Sequence, residues 1–263
     1  MQYNLYGVLG RSLPHTLSPQ LHGALYDMTG HKGIYNVFEV EPQQLKDVIP
    51  AAKTLGIRGF NVTIPYKKDI MVYLDAVDPM AQKLGAVNTV KIDNGVAHGF
   101  NTDYYGFPMS LLHAGIDIRG KSFLMCGVSG AGLAIREALL DYGASDVLAA
   151  STDPKKGIPY NKLHALPHMD VIINCTPLGM YPDVDASVVG ADILGKFETA
   201  VDIVYNPVET FFLKTARRCG LATLSGLYML IFQGIKSFEI WTGIDVDTGV
   251  PDVIFDKLNT RLL

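Results

Sequence analysis

Short apolar runs alternate with longer amphipathic stretches along the chain, and that alternation predicts its elements. The run 4–10 (Asn4-Leu5-Tyr6-Gly7-Val8-Leu9-Gly10) reads as a buried strand. A polar loop, 11–18, follows, and Ser18-Pro19 supplies an N-cap and a first helical position for a helix through Met28. Residues 34–40 read as a second strand and 42–55 as a helix, with Ala51, Ala52 and Leu55 on its apolar side. A third strand, 56–60, runs into Asn61-Val62-Thr63-Ile64-Pro65-Tyr66-Lys67, and 68–70 continues as a helical turn opened by Pro65. This β-α-β-α-β order predicts a parallel sheet covered by helices. A helix at 79–84 precedes a hairpin, 85–90 against 96–100, turning at Asp93-Asn94-Gly95. The hairpin leads directly into Asn101-Thr102-Asp103 and then a glycine, Gly106.

A composition break at 115–121 separates this half from a second alternation. Strand 122–126 leads into Gly127-Val128-Ser129-Gly130-Ala131-Gly132 and a helix over 133–142. Strand, glycine loop and helix is the context a dinucleotide pyrophosphate needs, because backbone N–H groups at a helix N-terminus bind phosphate oxygens. Strands follow at 146–150, 170–177, 199–207 and 222–226. Helices 227–242 and 253–262 have no strand partners and are expected to pack on the first half.

The chemistry gathers at strand ends. Thr16, Ser18, Asn61, Thr63, Lys67, Asn88 and Asp103 each follow or end a strand, where open parallel sheets bind small molecules. An amine such as Lys67 among few other charges can become a proton donor. Read alone, the same residues are ordinary strand-end polars, and Lys67–Asp103 an ordinary salt bridge. His22 reads as a structural hydrogen-bonder, His98 and His113 as surface or satisfied groups, and Met229 and Trp241 as core.

Composition narrows the partners. The 263 residues carry a net charge of −4 and are 48% hydrophobic, enough for a substantial core. No basic run marks the chain for nucleic acid or an anionic membrane, so a small molecule is the expected partner. Cys126, Cys175 and Cys219 are odd in number and scattered. They suggest reduced thiols in a cytoplasmic protein rather than disulfides or a metal site. No signal peptide is expected at the N-terminus, and no apolar run is long enough to span a bilayer.

From end to end the sequence resembles the shikimate dehydrogenase family. The matching stretches begin with His15-Thr16-Leu17-Ser18-Pro19 with His22, the 61–67 segment, and Ala86-Val87-Asn88-Thr89. They continue through Gly99-Phe100-Asn101-Thr102-Asp103, the glycine loop, and Asn174-Cys175-Thr176-Pro177-Leu178-Gly179-Met180. Asp202-Ile203-Val204-Tyr205-Asn206-Pro207, Gly226 with Met229, Gln233, and Trp241-Thr242-Gly243 complete the set. The resemblance implies an α/β protein of two domains with a cleft between them. A discontinuous, parallel-sheet catalytic domain would span 1–103 plus 227–263, and a Rossmann-like NAD(P)-binding domain 104–226. It implies reduction of 3-dehydroshikimate to shikimate, with Lys67 and Asp103 as the catalytic pair. Thr16 and Ser18 would bind the substrate carboxylate. Asn61, Thr63, Asn88, Asp103 and Gln233 would surround the ring hydroxyls and ketone, and Tyr205 would add a contact. Gly127, Val128, Ser129, Gly130, Ala131, Ile203, Gly226 and Met229 would hold the cofactor, joined by Thr176 and by Ser151, Thr152, Asp153 and Lys155. A monomer or homodimer is expected, without a metal.

The departures from the family pattern matter. The family usually has serine where Thr16 stands, and quinate-accepting members can carry threonine. It usually has glycine where Ser129 stands, so a side chain there would hinder close approach to a pyrophosphate. Where relatives carry Asn-Arg-Thr to clamp the NADP 2′-phosphate, this chain reads Ala150-Ser151-Thr152-Asp153, without the arginine. Lys155 or Lys156 could meet the phosphate as point charges, or Asp153 could hold a ribose diol and favour NAD. The segment before Asp170 is short, so a helix is expected to be missing or reduced. NADP is the expected cofactor. An NAD-using quinate/shikimate dehydrogenase and a binding relative with impaired cofactor binding remain alternatives.

Overall fold

The structure is a computed structural model that describes residues 3–128 and 130–262. It divides into two compact units. The first holds the chain up to Asp103 together with Gln233–Leu258, and the second holds Tyr104–Phe232 with the residues from Asn259.

In the first unit, β1 (Asn4–Gly10) lies between β2 (Gly33–Glu39) and β3 (Ile57–Val62), all parallel. α1 (Ser18–Thr29) and α2 (Leu45–Thr54) make the crossovers. β4 (Ala76–Val77), α3 (Pro79–Leu84), β5 (Thr89–Asp93) and β6 (Val96–Phe100) complete a six-stranded sheet in the order β2-β1-β3-β5-β6-β4. β5 runs antiparallel to both β3 and β6, and Asn94 and Gly95 close the hairpin at positive φ. One core joins Leu9, Phe60 and Val90 of the sheet to Leu45 and Ile49 of α2 and to Tyr66 and Ile70.

The second unit opens with α4 (Asp103–His113) at its boundary. It continues with β7 (Ser122–Cys126), α5 (Ala131–Asp141), β8 (Asp146–Ala150), β9 (Met169–Asn174), α6 (Ala191–Leu194), β10 (Phe197–Asp202), α7 (Phe211–Arg218) and β11 (Ala222–Leu224). The five strands are all parallel in the order β11-β10-β9-β7-β8. Apolar clusters cover both faces, as parallel sheets require: Phe123, Ile135 and Leu139 in one, Leu124, Phe212 and Leu213 in the other. α8 (Leu227–Thr242) passes from the second unit to the first, and α9 (Val250–Leu262) follows.

Several boundaries differ from the sequence expectation, each for a local reason. Pro65 opens no helix; residues 64–68 form a turn and a 3-10 helix begins only at Asp69. Tyr66 is buried there and its hydroxyl donates to the Val40 carbonyl, drawing the turn inward. Residues 42–44 are a 3-10 turn rather than the start of α2. Residues 86–88 leave the expected hairpin ladder because Val87 N–H donates to the Lys67 carbonyl and Asn88 N–H to that of Phe100. β10 stops at Asp202, whose carboxylate accepts Val204 N–H. α4 was not expected: Gly106 and Pro108, both helix breakers by rule, lie inside it. α7 was also missed, although Thr210 caps it by accepting Leu213 N–H. As expected, no α-helix forms between β8 and β9; a 3-10 helix, Tyr160–Ala165, stands there.

Candidate active site

β1 changes its neighbour from β2 to β3 in the first unit, and the loops after β1 and β3 flank that switch point. The β1 loop carries Thr16 and Ser18; the β3 loop carries Thr63 and Lys67. Lys67 Nζ lies 2.6 Å from Asp103 Oδ2, with the lysine side chain 20% exposed and the aspartate 8%. Asp103 is the first residue of α4, where the helix N-terminus favours a carboxylate. Its N–H donates to Asn101 Oδ1, and Asn101 Nδ2 donates to the Ala86 carbonyl. The pair therefore sits on a fixed frame, shielded from most solvent, where a charge interaction is stronger than at a surface.

Behind it is a buried polar network. Asn61 Nδ2 donates to Ser237 Oγ at 2.8 Å and to Thr89 Oγ1 at 3.1 Å. Its Oδ1 accepts the Tyr35 hydroxyl at 2.7 Å. Asn88 Oδ1 accepts Thr102 N–H at 2.7 Å, and Thr102 Oγ1 donates to Gln233 Oε1 at 3.4 Å. Thr16 Oγ1 donates to Ser18 Oγ at 3.2 Å. Thr63 N–H donates to the Leu9 carbonyl, pinning the β3 loop beside β1. Buried hydroxyls and amides satisfied in this way resist displacement, since an orphaned partner costs about 1–3 kcal/mol. His22 is buried and neutral, its pKa lowered to about 3 by desolvation while a bond to Asn61 works the other way. The sequence singled out neither Ser237 nor Tyr35. Ser237 had a signal: it follows Gln233 by one helical turn on a largely apolar helix. Tyr35 lies on an edge strand and had none.

In the second unit, β7 is the switch strand, and the turns after β7 and β9 flank it. Gly127 has φ +98, and a Cβ there would stand 2.8 Å from Thr176 Cγ2. Gly226 touches the Ile203 carbonyl so closely that no side chain fits. α5 begins after Gly130, which itself supplies no side-chain cap, and the first N–H groups of a helix have no partner within it. This cradle fits a pyrophosphate. Ser129 lies outside the described residues. Thr176 and Asn174 hold the second turn: Thr176 N–H and Oγ1 donate to Asn174 Oδ1. Asn174 Nδ2 and Thr210 Oγ1 donate to the buried Asp202 carboxylate at 3.0 and 2.6 Å. Burial pushes Asp202 up to about 6 against those bonds. Met229 is buried in the core with Phe107 and Leu111, and Tyr205 follows the end of β10, partly buried.

After β8, Ser151 is buried and its Oγ accepts Asp153 N–H. Asp153 accepts Lys155 N–H at 3.0 Å and stands 3.9 Å from Lys156 Nζ. Thr152, Lys155 and Lys156 are exposed, and Lys155 forms no ion pair among the described residues. Among the described residues no cluster could hold a metal ion, and no helix is long and apolar enough to cross a membrane.

Residues 8–90 match the shikimate dehydrogenase substrate binding domain, and 226–250 the shikimate 5′-dehydrogenase C-terminal domain. A curated relative from Clostridium perfringens, shikimate dehydrogenase (NADP(+)), is 40% identical and aligns over 98% of this chain and 99% of its own. The chain belongs to the shikimate dehydrogenase family. A crystal structure of a chorismate mutase/shikimate 5-dehydrogenase fusion protein from Clostridium acetobutylicum superposes with a TM-score of 0.96 at 40% identity. It covers 100% of this chain and 99% of that one. Shikimate 5-dehydrogenase from Thermus thermophilus, in complex with NADP(H) and shikimate, superposes with a TM-score of 0.89 at 32% identity. That match covers 99% of this chain and all of the other. The family membership agrees with the two α/β units found here, each built on its own sheet.

Proposed function

We propose that this protein is an NADP-dependent shikimate dehydrogenase that interconverts 3-dehydroshikimate and shikimate. The observation that carries the reading is the sheltered Lys67–Asp103 pair at the end of the β3 loop, in a chain whose full-length relatives bear that name. When bound, the nicotinamide supplies the hydride to the ketone carbon, or accepts it in reverse. As the ketone becomes an alcohol, negative charge builds on its oxygen. The Lys67 ammonium stabilises that charge and gives it a proton, and solvent then reprotonates the amine. Asp103 holds the amine in place. Thr16 and Ser18 take the substrate carboxylate; Asn61, Thr63, Asn88 and Gln233 frame the ring, and Tyr205 adds a contact to the substrate.

Gly127, Val128, Gly130, Ala131, Thr176, Ile203, Gly226 and Met229 hold the cofactor, and Lys155 meets its 2′-phosphate beside Ser151 and Thr152. Asp153 accepts Lys155 N–H and has Lys156 Nζ 3.9 Å away, so its charge is turned toward the lysines of its own loop. That favours NADP over NAD. The enzyme works in the cytoplasm as a monomer or homodimer. Its buried Cys126 and Cys175 are free thiols, and burial pushes Cys126 up to about 12. The test is steady-state turnover of purified protein with shikimate or quinate and with NADP or NAD. Turnover confined to shikimate with NADP is expected. Preference for quinate with NAD would replace this reading, and no turnover with any pair would favour a binding relative.

A further inference from the structure

At the edge of the first sheet opposite the substrate groups lies a cavity of about 220 Å³. Asn4 opens β1, Arg58 stands at the start of β3 and Asp93 closes the antiparallel β5, so the cavity sits at the N-terminal edge of the parallel strands. Thr16, Thr63 and Lys67 follow the C-terminal ends of those strands. The whole lining belongs to the first unit. Local structure builds it. Tyr6, Gly59 and Lys91 lie abreast on β1, β3 and β5. The missing side chain of Gly59 leaves room for the Trp241 ring, which stacks on Tyr6 with centroids 5.0 Å apart and planes 20° from parallel. The pairing of β1 with β3 skips one residue, Arg58, between Ile57 and Gly59. Such a bulge re-aims a side chain, and Arg58 lines the cavity with Lys91. Neither forms an ion pair among the described residues. His31 bonds the Tyr6 hydroxyl at 3.3 Å and is neutral at pH 7, since desolvation lowers its pKa. Arg58 and Lys91 against Asp93 thus leave one positive charge beside a flat aromatic wall.

We propose that this cavity is a second ligand site, separate from the substrate site, that takes a small planar monocarboxylate such as an aromatic acid. Arg58 grips the carboxylate with its planar fork, and Lys91 adds a point charge. The ring of the ligand lies against Tyr6 and Trp241. A volume below the roughly 300–1,000 Å³ of drug-sized sites suits a single ring. One carboxylate balances the one positive charge that the lining leaves over.

The chain's single tryptophan, Trp241, lines the cavity and reports on it directly. Benzoate titrated into the full-length protein should change its fluorescence saturably. Arg58→Gln should raise the Kd for benzoate about tenfold, the cost of a charge-assisted hydrogen bond, and Lys91→Gln should raise it a few-fold. A urea midpoint close to wild type shows that Arg58→Gln is folded; Lys91→Gln, which changes a different strand, carries the same test if it is not. Benzyl alcohol, with the ring and no charge, and acetate, with the charge and no ring, should each bind at least tenfold more weakly than benzoate. The titration needs no turnover, so it stands or falls separately from the function proposed above. The absence of a saturable fluorescence change would overturn the site. So would a benzoate Kd unchanged in both variants, which would put the acid elsewhere, and so would acetate binding as tightly as benzoate, which would leave a bare anion site.

Discussion

The two units present their ligand groups in different ways. In the first, the groups are side chains: a lysine and an aspartate 2.6 Å apart, hydroxyls and amides, all braced by a buried network. In the second, the cradle is mostly backbone, opened by glycines and the start of a helix, and side chains such as Asn174 and Asp202 only hold the turns. Proton transfer needs a specific functional group at a specific place. Phosphate binding needs N–H groups and room, which any residue without a Cβ leaves open. The first unit should therefore lose chemistry when a side chain is trimmed, and the second should lose binding when one is added.

The largest expected effect tests the first half of that contrast. Lys67→Ala should lower kcat by about 10²–10⁴-fold, the range for a positioned proton donor, with the KM for shikimate little changed. Loss of substrate binding with turnover intact would remove Lys67 from the chemistry.

Gly127→Ala tests the second half. The added methyl meets Thr176 and forces an unfavourable backbone, a strain of about 1–3 kcal/mol. The KM for NADP should rise roughly in proportion while the KM for shikimate holds. If both constants rise together, the damage is not local to the cradle.

Acid should act on the two units with opposite sign. His22 is held near 3 in the fold, below its ordinary 6.5, so the unfolded chain binds the extra proton. Its contribution is complete above pH 6.5 and is lost as pH falls toward 3, about 2 kcal/mol by pH 5. Asp202 is raised from 3.8 to about 6, so the folded state holds the extra proton. Its contribution is complete below pH 3.8 and is lost as pH rises to about 6, on the order of 2–3 kcal/mol. Urea unfolding from pH 4 to 7 should show a flatter acid limb in His22→Gln and a steeper net acid loss in Asp202→Asn. The single tryptophan, Trp241, reports the first unit by fluorescence. Identical pH profiles in both variants and wild type would remove both assignments.

Smaller shifts should come from the periphery. Replacing Lys155 and Lys156 together with alanine should raise the KM for NADP several-fold and leave that for NAD unchanged, since exposed charges are worth about 0–1 kcal/mol each. An equal response to both cofactors would show that these lysines do not read the 2′-phosphate. Thr16→Ser should move the shikimate-to-quinate activity ratio by one methyl's worth, about 1–3 kcal/mol at most. An unchanged ratio would turn Thr16 away from the ligand.

Much of this was legible in the sequence because parallel sheets announce themselves by short apolar runs, and the polar residues that follow those runs are placed by the fold. Lys67 and Asp103 were found that way, and so was the glycine turn after β7. The buried network was harder to read. Ser237, Thr89 and Thr102 meet only when α8 returns to the first sheet, so their shared bonds have no local pattern. α4 was hidden by Gly106 and Pro108, because tertiary packing of Phe107 and Leu111 overrides the breakers. Tyr35 looked like one more strand aromatic until Asn61 and His22 converged on it.

Trp241 bears on how the chain acquires its shape during synthesis. It fills the space left by Gly59 and donates to the Val90 carbonyl at 2.9 Å, a partner 151 positions earlier. The first sheet therefore emerges early but waits for nearly the whole polypeptide before one of its central contacts can form. The strands of the second sheet come from one unbroken stretch, 122–224. Loop closure over that distance delays the late contact, and a nascent chain exposes the waiting surface meanwhile. In this molecule an early-made sheet thus keeps one of its contacts open until α8 has left the ribosome.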